Sequence, residues 1–402
     1  MNRIASGFYR IIVLAIILIA LIVSCNKEED KIQWERGDIV KASYLIQYPA
    51  SSIETFIQAM GGQSNLEPEY DVEITKLVYI TIGPDGDLVE ASGTVMIPVG
   101  TNNLPLLSFH HGTETKRDLV VSSSLFIGEG IASMAMTSLG FATCVPDYLG
   151  LGESFLLHPY LYAPSSADVS IDLLRAARTF YQDNGVELNN DLYLGGYSEG
   201  GYVTMAVHRE IETNHPDEFS VTASAPLAGP YDLEGTINSI ILQEEYAQPT
   251  FIAYFITAYN EIYGWNRLNN IFNVPYAGMM AYLFDGNHTK EEIGAELPGS
   301  ISELIKDRFR TAYLDGEEDE FEQAVSENNL LNWTPVAPIR MFHSNGDEIV
   351  PYQNSITALN YFQNQGVNNI ELITLDSLAH AEAAVPAIIG MIEWFDSLRV
   401  NK

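Results

Sequence analysis

Cysteine is scarce in this chain, with two among 402 residues, which excludes a small fold stapled by a disulfide framework. Basic side chains are scarce too: 20 Lys and Arg stand against 53 Asp and Glu, for a formal charge of −33. Nucleic-acid affinity rests mostly on Lys and Arg neutralising phosphates, so an acidic surface repels the polyanion and a nucleic-acid partner is excluded. No Gly-x-x-x-x-Gly-Lys loop occurs, which removes support for nucleotide chemistry. The adjacent histidines His110 and His111 lack the Cys, spaced His or carboxylate pattern that zinc sites use, so neither a metal nor another cofactor is expected. There is no internal repeat, and the only biased tract is an acidic patch at 315–322, a solvated face. What is present is an apolar share of 47%, enough for a sizeable core in one large domain or two ordinary ones.

The N-terminus carries Arg3 and Arg10, then an unbroken apolar run from Ile11 to Val23, then Ser24 and Cys25. At ~1.5 Å per residue that run covers roughly 20 Å, short of the ~30 Å hydrocarbon core, and reads as the apolar part of an export signal. Ile22-Val23-Ser24-Cys25 resembles the lipobox of bacterial lipoproteins. The resemblance implies cleavage before Cys25, lipidation of its thiol and a membrane anchor of several acyl chains, which holds firmly where one chain is marginal. Asn26-Lys27-Glu28-Glu29-Asp30 is similar to the tag that places some lipoproteins on the outer cell face, and a charged linker explains it nearly as well. The expected location is therefore the cell envelope, at the outer membrane, with surface exposure as the further expectation. Cys144 then has no partner for an intrachain disulfide and reads as a buried thiol.

From residue 71 onward, short β-branched runs alternate with longer amphipathic ones, the pattern of a mainly parallel sheet flanked by helices. Strands are expected at 71–82 and 88–99 around the turn 83–86, then at 104–109, 141–146, 191–195, 219–227, 337–344 and 370–375. Helices are expected at 130–139, 166–183, 199–213 and 383–398. Between about 233 and 333 the rhythm changes to an aromatic, helical stretch with Phe251, Tyr254, Phe255, Tyr259, Tyr263 and Trp265, which reads as an inserted cap. The domain plan is a signal at 1–24, a tether and flanking segment at 25–70, and one α/β domain at 71–402 with the cap inside it.

Leu192-Tyr193-Leu194 runs into Gly195-Gly196-Tyr197-Ser198-Glu199-Gly200-Gly201, which contains Gly-x-Ser-x-Gly between a strand and a helix. A serine on such a turn has strained backbone angles, and the positions two before and two after it must lack a Cβ because strand and helix nearly collide. Its hydroxyl needs a base, and the base an orienting acid. In the chain order Ser, acid, His, the available histidines are His208, His215, His288, His343 and His380. His380 follows the last strand in a short loop and is the candidate base, whereas His343 lies inside a strand and reads as a core imidazole. Asp347, just past a strand end, is the candidate acid, with Asp376 and Glu348 as competitors. An oxyanion would be met by the backbone N–H of Glu199 and by one from the loop at Gly112 and Thr113. His110 and His111 read as loop anchors or core packing, and the pattern does not choose.

Together the stretches around Ser198, at 146–152 and at 346–351 make residues 71–402 resemble the α/β-hydrolase fold, and within it the secretory lipase branch. The resemblance implies a carboxylic-ester hydrolase (esterase or lipase) with Ser198 as nucleophile, Asp347 as acid, His380 as base and a helical lid. Its substrate would be a small-molecule or lipid ester. That branch more often has Gln at the position of Glu199. The rival readings are a serine peptidase of the same fold and a non-catalytic surface-binding lipoprotein.

Overall fold

The computed structural model describes residues 33–59 and 66–400. The chain divides into two compact units at Glu35/Arg36. Of the first unit only residues 33–35 are described, so the account below concerns the second; the signal 1–24 and Cys25 lie outside the described residues.

Nine strands form one sheet: β1 (Ile39–Tyr48), β2 (Val72–Ile82), β3 (Leu88–Pro98), β4 (Leu104–His110), β5 (Ala142–Pro146), β6 (Leu188–Tyr197), β7 (Val221–Leu227), β8 (Ile339–Ser344) and β9 (Ile370–Leu375). Their spatial order is β1-β2-β3-β5-β4-β6-β7-β8-β9. The pairs β1/β2, β2/β3 and β3/β5 are antiparallel, and every pair from β5/β4 to β8/β9 is parallel. The β2–β3 hairpin closes where Gly86 takes φ of 88°, a backbone angle that a residue without Cβ adopts at no steric cost.

Strand β4 is buried along its whole length, as a central strand covered on both faces must be. Its side chains alternate. Leu106 joins the cluster with Val169, Leu173 and Val207, from the helices Ala163–Asp183 and Glu199–Asn214. Leu107 and Phe109 join Met134, Ala387 and Met391 on the other face, from the helices Gly128–Ser138 and His380–Val400. Each fully buried Leu or Phe contributes ~2 kcal/mol by removing its apolar surface from water.

The sheet starts earlier than the sequence pattern indicates. Residues 39–48, in the stretch read as tether and flank, pair with β2 as an edge strand, and Ala50–Ala59 is a helix. No residue of β1 is fully buried, so it carries little of the apolar alternation that announces a strand. Just before it, Arg36 Nε donates to Asp172 Oδ2 at 3.0 Å, and the buried Asp172 carboxylate also accepts from Thr81 Oγ1 at 2.7 Å and Arg175 at 2.6 Å.

Between β7 and β8 lie eight helices, from Leu233–Leu242 to Asp319–Glu327, and one 3-10 turn. They build a core of their own in which Phe321 packs perpendicular to Phe255, Phe309 and Tyr313. This insertion is tied to the loop after β4: Thr115 Oγ1 donates to His288 O at 2.8 Å, the Arg117 N–H to Gly286 O at 2.9 Å, and Lys290 Nζ to Thr113 O at 2.9 Å.

Candidate active site

Ser198 occupies the single residue between β6 and the helix Glu199–Asn214, with φ 61° and ψ −119°. A non-glycine residue at such angles is strained and persists only where its surroundings over-determine it. They do so here: a Cβ on Gly196 would stand 2.5 Å from the carbonyl oxygen of His110, and one on Gly200 would come closer still to that oxygen. The turn thus aims Ser198 Oγ off the sheet at the positive end of a helix.

His380, 7% exposed, is the first residue of the last helix. Ser198 Oγ lies 2.9 Å from its Nε2, and its Nδ1 lies 2.6 Å from Asp347 Oδ2. Tyr197 donates its hydroxyl to the His380 carbonyl at 2.6 Å, and the His380 N–H donates to Glu348 Oε2 at 3.0 Å, which fixes where the ring emerges. The three residues come from turns after β6, β8 and β9, brought together at the C-terminal ends of these parallel strands.

Asp347 has a fully buried side chain that accepts four hydrogen bonds. Its Oδ1 takes the N–H groups of Ile349 at 2.9 Å and Val350 at 2.8 Å, and its Oδ2 takes His380 and, at 3.2 Å, His343 Nε2. Burial alone would raise this carboxyl, but the bonds from His343 and His380 override it and hold the group well below the usual carboxylate range. His343 is fully buried in β8 and also holds Val350 O at 3.1 Å; with its Nε2–H given to oxygen acceptors, its Nδ1 receives Ser355 Oγ–H at 2.7 Å. The core imidazole read from the sequence therefore has a further duty behind Asp347. The competing acids are elsewhere engaged: exposed Asp376 accepts from Asn345 Nδ2 at 3.1 Å, and Glu348 binds backbone.

The Glu199 N–H is a first-turn amide with no acceptor within its own helix. Gly112 stands against Ser198, since a Cβ there would lie 4.0 Å from Ser198 Cβ. Its N–H, expected as a donor, here gives its bond to Glu129 Oε1 at 3.2 Å. No bond from the Thr113 N–H occurs among the described residues, so of the loop's two amides it is the one left open to a ligand. Of the two loop histidines, His110 is core: it is fully buried between Ser108 and Thr204, and burial, with His111 beside it, pushes it down to about 3. His111 is the anchor, with its ring nitrogens against Gly112 O at 2.7 Å and Asp147 O at 3.2 Å.

The sequence analysis missed three residues around this centre: Glu129, His158 and, in its second duty, His343. The Glu199 carboxylate turns inward, its side chain 1% exposed, and its Oε1 lies 2.7 Å from His158 Nε2. The contacts of Glu129 and His158 join positions 17 and 41 apart in sequence, and the only local hint is that Glu129 falls in the first turn of a helix, where carboxylates are favoured. Beside Ser198 and Glu199 is a cavity of about 30 Å³ lined mainly by apolar side chains of the insertion, among them Leu233, Ile237, Phe251 and Phe255. Two larger grooves, of about 660 and 970 Å³, contain none of Ser198, Asp347 or His380. Among the described residues no group of three His, Cys, Asp or Glu is placed to hold a metal ion. Nor is any described helix long and apolar enough to cross a membrane.

No family model matches the chain, and no curated protein matches it. Solved structures do. A Legionella pneumophila protein assigned provisionally as a hydrolase superposes with a TM-score of 0.84 at 28% identity, over 89% of this chain and 97% of that one. The rice cell wall degrading esterase LipA from Xanthomonas oryzae superposes at 0.80 with 30% identity, over 90% of this chain and 97% of that one. Candida antarctica lipase A, at 0.66 and 16% identity over 86% and 78%, shares the fold.

Proposed function

The chain belongs to the α/β-hydrolase superfamily, and from that premise we propose that it is a serine carboxylic-ester hydrolase working through an acyl-enzyme. The observation that carries the reading is the chain of hydrogen bonds from Ser198 Oγ to His380 to Asp347, with its serine on a strained turn. Ser198 Oγ attacks the ester carbonyl as its proton passes to His380 Nε2, and Asp347 stabilises the resulting imidazolium. The oxyanion of the tetrahedral adduct is met by the N–H groups of Glu199 and Thr113. Collapse expels the alcohol, which takes the proton from His380 and leaves Ser198 acylated. Water then attacks the acyl carbon, giving its proton to His380, and Ser198 departs with that proton as the acid is released.

The cavity beside Ser198 is small and lined mainly by side chains of the insertion, which supports reading the insertion as a lid over the acyl group. The test is hydrolysis of p-nitrophenyl esters of graded chain length by the full-length chain in detergent, beside Ser198→Ala. Because the Xanthomonas oryzae neighbour is a cell wall degrading esterase, acetylated and feruloylated carbohydrates belong in the panel. Ester turnover that vanishes in Ser198→Ala supports the reading. Ser198-dependent cleavage of unactivated peptide amides turns it to a peptidase, and no turnover of esters or amides removes the enzyme reading.

The N-terminus supports a lipoprotein: Ile22-Val23-Ser24-Cys25 as processing site, Cys25 as lipidated residue, and the outer membrane, on its outer face, as the address. Radiolabelled palmitate should enter the wild type and not Cys25→Ser, and protease added to intact cells should reach the protein.

A further inference from the structure

On the reading of Ser198 as an ester nucleophile, we propose that His158 and Tyr160 are positioning residues of the oxyanion hole. One short segment, His158-Pro159-Tyr160, grips both residues whose amides meet the oxyanion. His158 Nδ1–H donates to Leu149 O at 2.7 Å, and its Nε2 meets Glu199 Oε1, also at 2.7 Å, through a second proton shared between the ring and the carboxyl group. Tyr160 OH lies 3.0 Å from Thr113 Oγ1. All four side chains are buried: His158 and Tyr160 are each 5% exposed, Thr113 4% and Glu199 2%.

The segment is itself held on both sides. The His158 ring lies parallel to Tyr148 at 5.9 Å, and Tyr148 stacks on His111 at 4.1 Å and donates its hydroxyl to His111 O at 2.9 Å. On the other side Tyr160 stacks on Tyr254 of the insertion at 4.8 Å. Glu199 and Thr113 come from different strand ends; the N–H groups of Gly201 and Tyr202 hold Ser198 O and the His111 ring holds Gly112 O, and the side chains of Glu199 and Thr113 give each of these peptides a second anchor. Anchoring Glu199 through its own carboxylate limits rotation of the 198–199 peptide, and anchoring Thr113 through its hydroxyl does the same for 112–113. A misplacement of ~1 Å in such donors is enough to cost ~10²-fold in rate.

The experiment uses the full-length chain and one ester that the wild type turns over. His158→Gln keeps an N–H near the position of Nε2 and so keeps the grip on Glu199. His158→Asn reaches only as far as Leu149 O. Tyr160→Phe removes one hydroxyl and leaves the ring stack, so it stays folded if either histidine variant does not. Rates are read well below each variant's Tm, beside the affinity of an alkyl boronic acid, whose tetrahedral adduct on Ser198 presents an oxygen to the hole. The expected result is a kcat lowered about 10- to 100-fold in His158→Asn and about 10-fold in Tyr160→Phe. KM should change little, boronate affinity should fall by the same factors, and His158→Gln should stay within a few-fold of wild type. Wild-type kcat and boronate affinity in His158→Asn and Tyr160→Phe would overturn the proposal while leaving the ester reading intact. So would equal losses in His158→Gln and His158→Asn. A wild type inert on every ester would remove the reading on which the proposal rests.

Discussion

Replacing Asp347 by Asn separates the charge of this residue from its shape, and the structure states which way the amide will turn. With its NH2 group at Oδ1, two buried N–H groups, of Ile349 and Val350, would face a donor; each lost bond costs about 1–3 kcal/mol. With the NH2 at Oδ2, those bonds survive and His343 keeps Val350 O as its acceptor, so this orientation wins. The NH2 then points at His380 Nδ1, which must become the acceptor, and the proton moves to Nε2, 2.9 Å from Ser198 Oγ. An imidazole protonated at Nε2 cannot take the serine proton. The expected loss is roughly 10⁴ in kcat, about 5.5 kcal/mol of transition-state stabilisation, with the fold retained. The assay is initial-rate hydrolysis of a p-nitrophenyl ester at pH 7, with Glu348→Gln and Asp376→Asn run beside it. Asp347→Asn within tenfold of wild type, or an equal loss in either companion variant, would falsify the assignment of the acid.

Gly200→Ala should lower stability by at least the 1–3 kcal/mol typical of overpacking, because its Cβ would press on the His110 carbonyl and not on a movable side chain; urea unfolding measures it. Cys144 is fully buried and its thiol is pushed up to about 12, so in the chain truncated before residue 26 a thiol reagent should modify it only after unfolding, and rapid reaction at pH 8 would refute its burial. His110, held near 3, stays neutral in the folded chain while the unfolded chain protonates near 6.5. The folded state therefore binds fewer protons below pH 6.5, and this residue withdraws about 2 kcal/mol of stability by pH 5; an NMR titration showing His110 protonating near pH 6.5 would contradict it. Asp347 adds a second loss at lower pH: its folded value lies below the ordinary one, so its contribution is complete above about pH 4 and fades beneath it, which acid unfolding of wild type against Asp347→Asn resolves.

Reading the chain alone succeeded where chemistry is local. Residues 195–201 announce a strained turn because Ser, Gly196 and Gly200 must sit at fixed offsets, and the structure shows His110 O filling the space that a Cβ would need. The β2–β3 hairpin and the buried parallel strands were legible for the same reason, since alternation, apolar runs and turn residues act over a few positions. Strand β1 was not, because an edge strand without a fully buried residue has no pattern to show.

The sequence by itself determined the strained turn at Ser198, the parallel strands and the helical stretch between β7 and β8, because backbone sterics and side-chain periodicity are properties of neighbours along the chain. Only the tertiary structure set Glu129 on the Gly112 N–H, His158 on Glu199 and His343 behind Asp347. The first two contacts span 17 and 41 positions. The third is only four apart, yet it depends on a bend of the chain past the end of β8. A buried carboxylate must find a donor wherever folding places one, and that demand leaves no trace in the spacing of residue types.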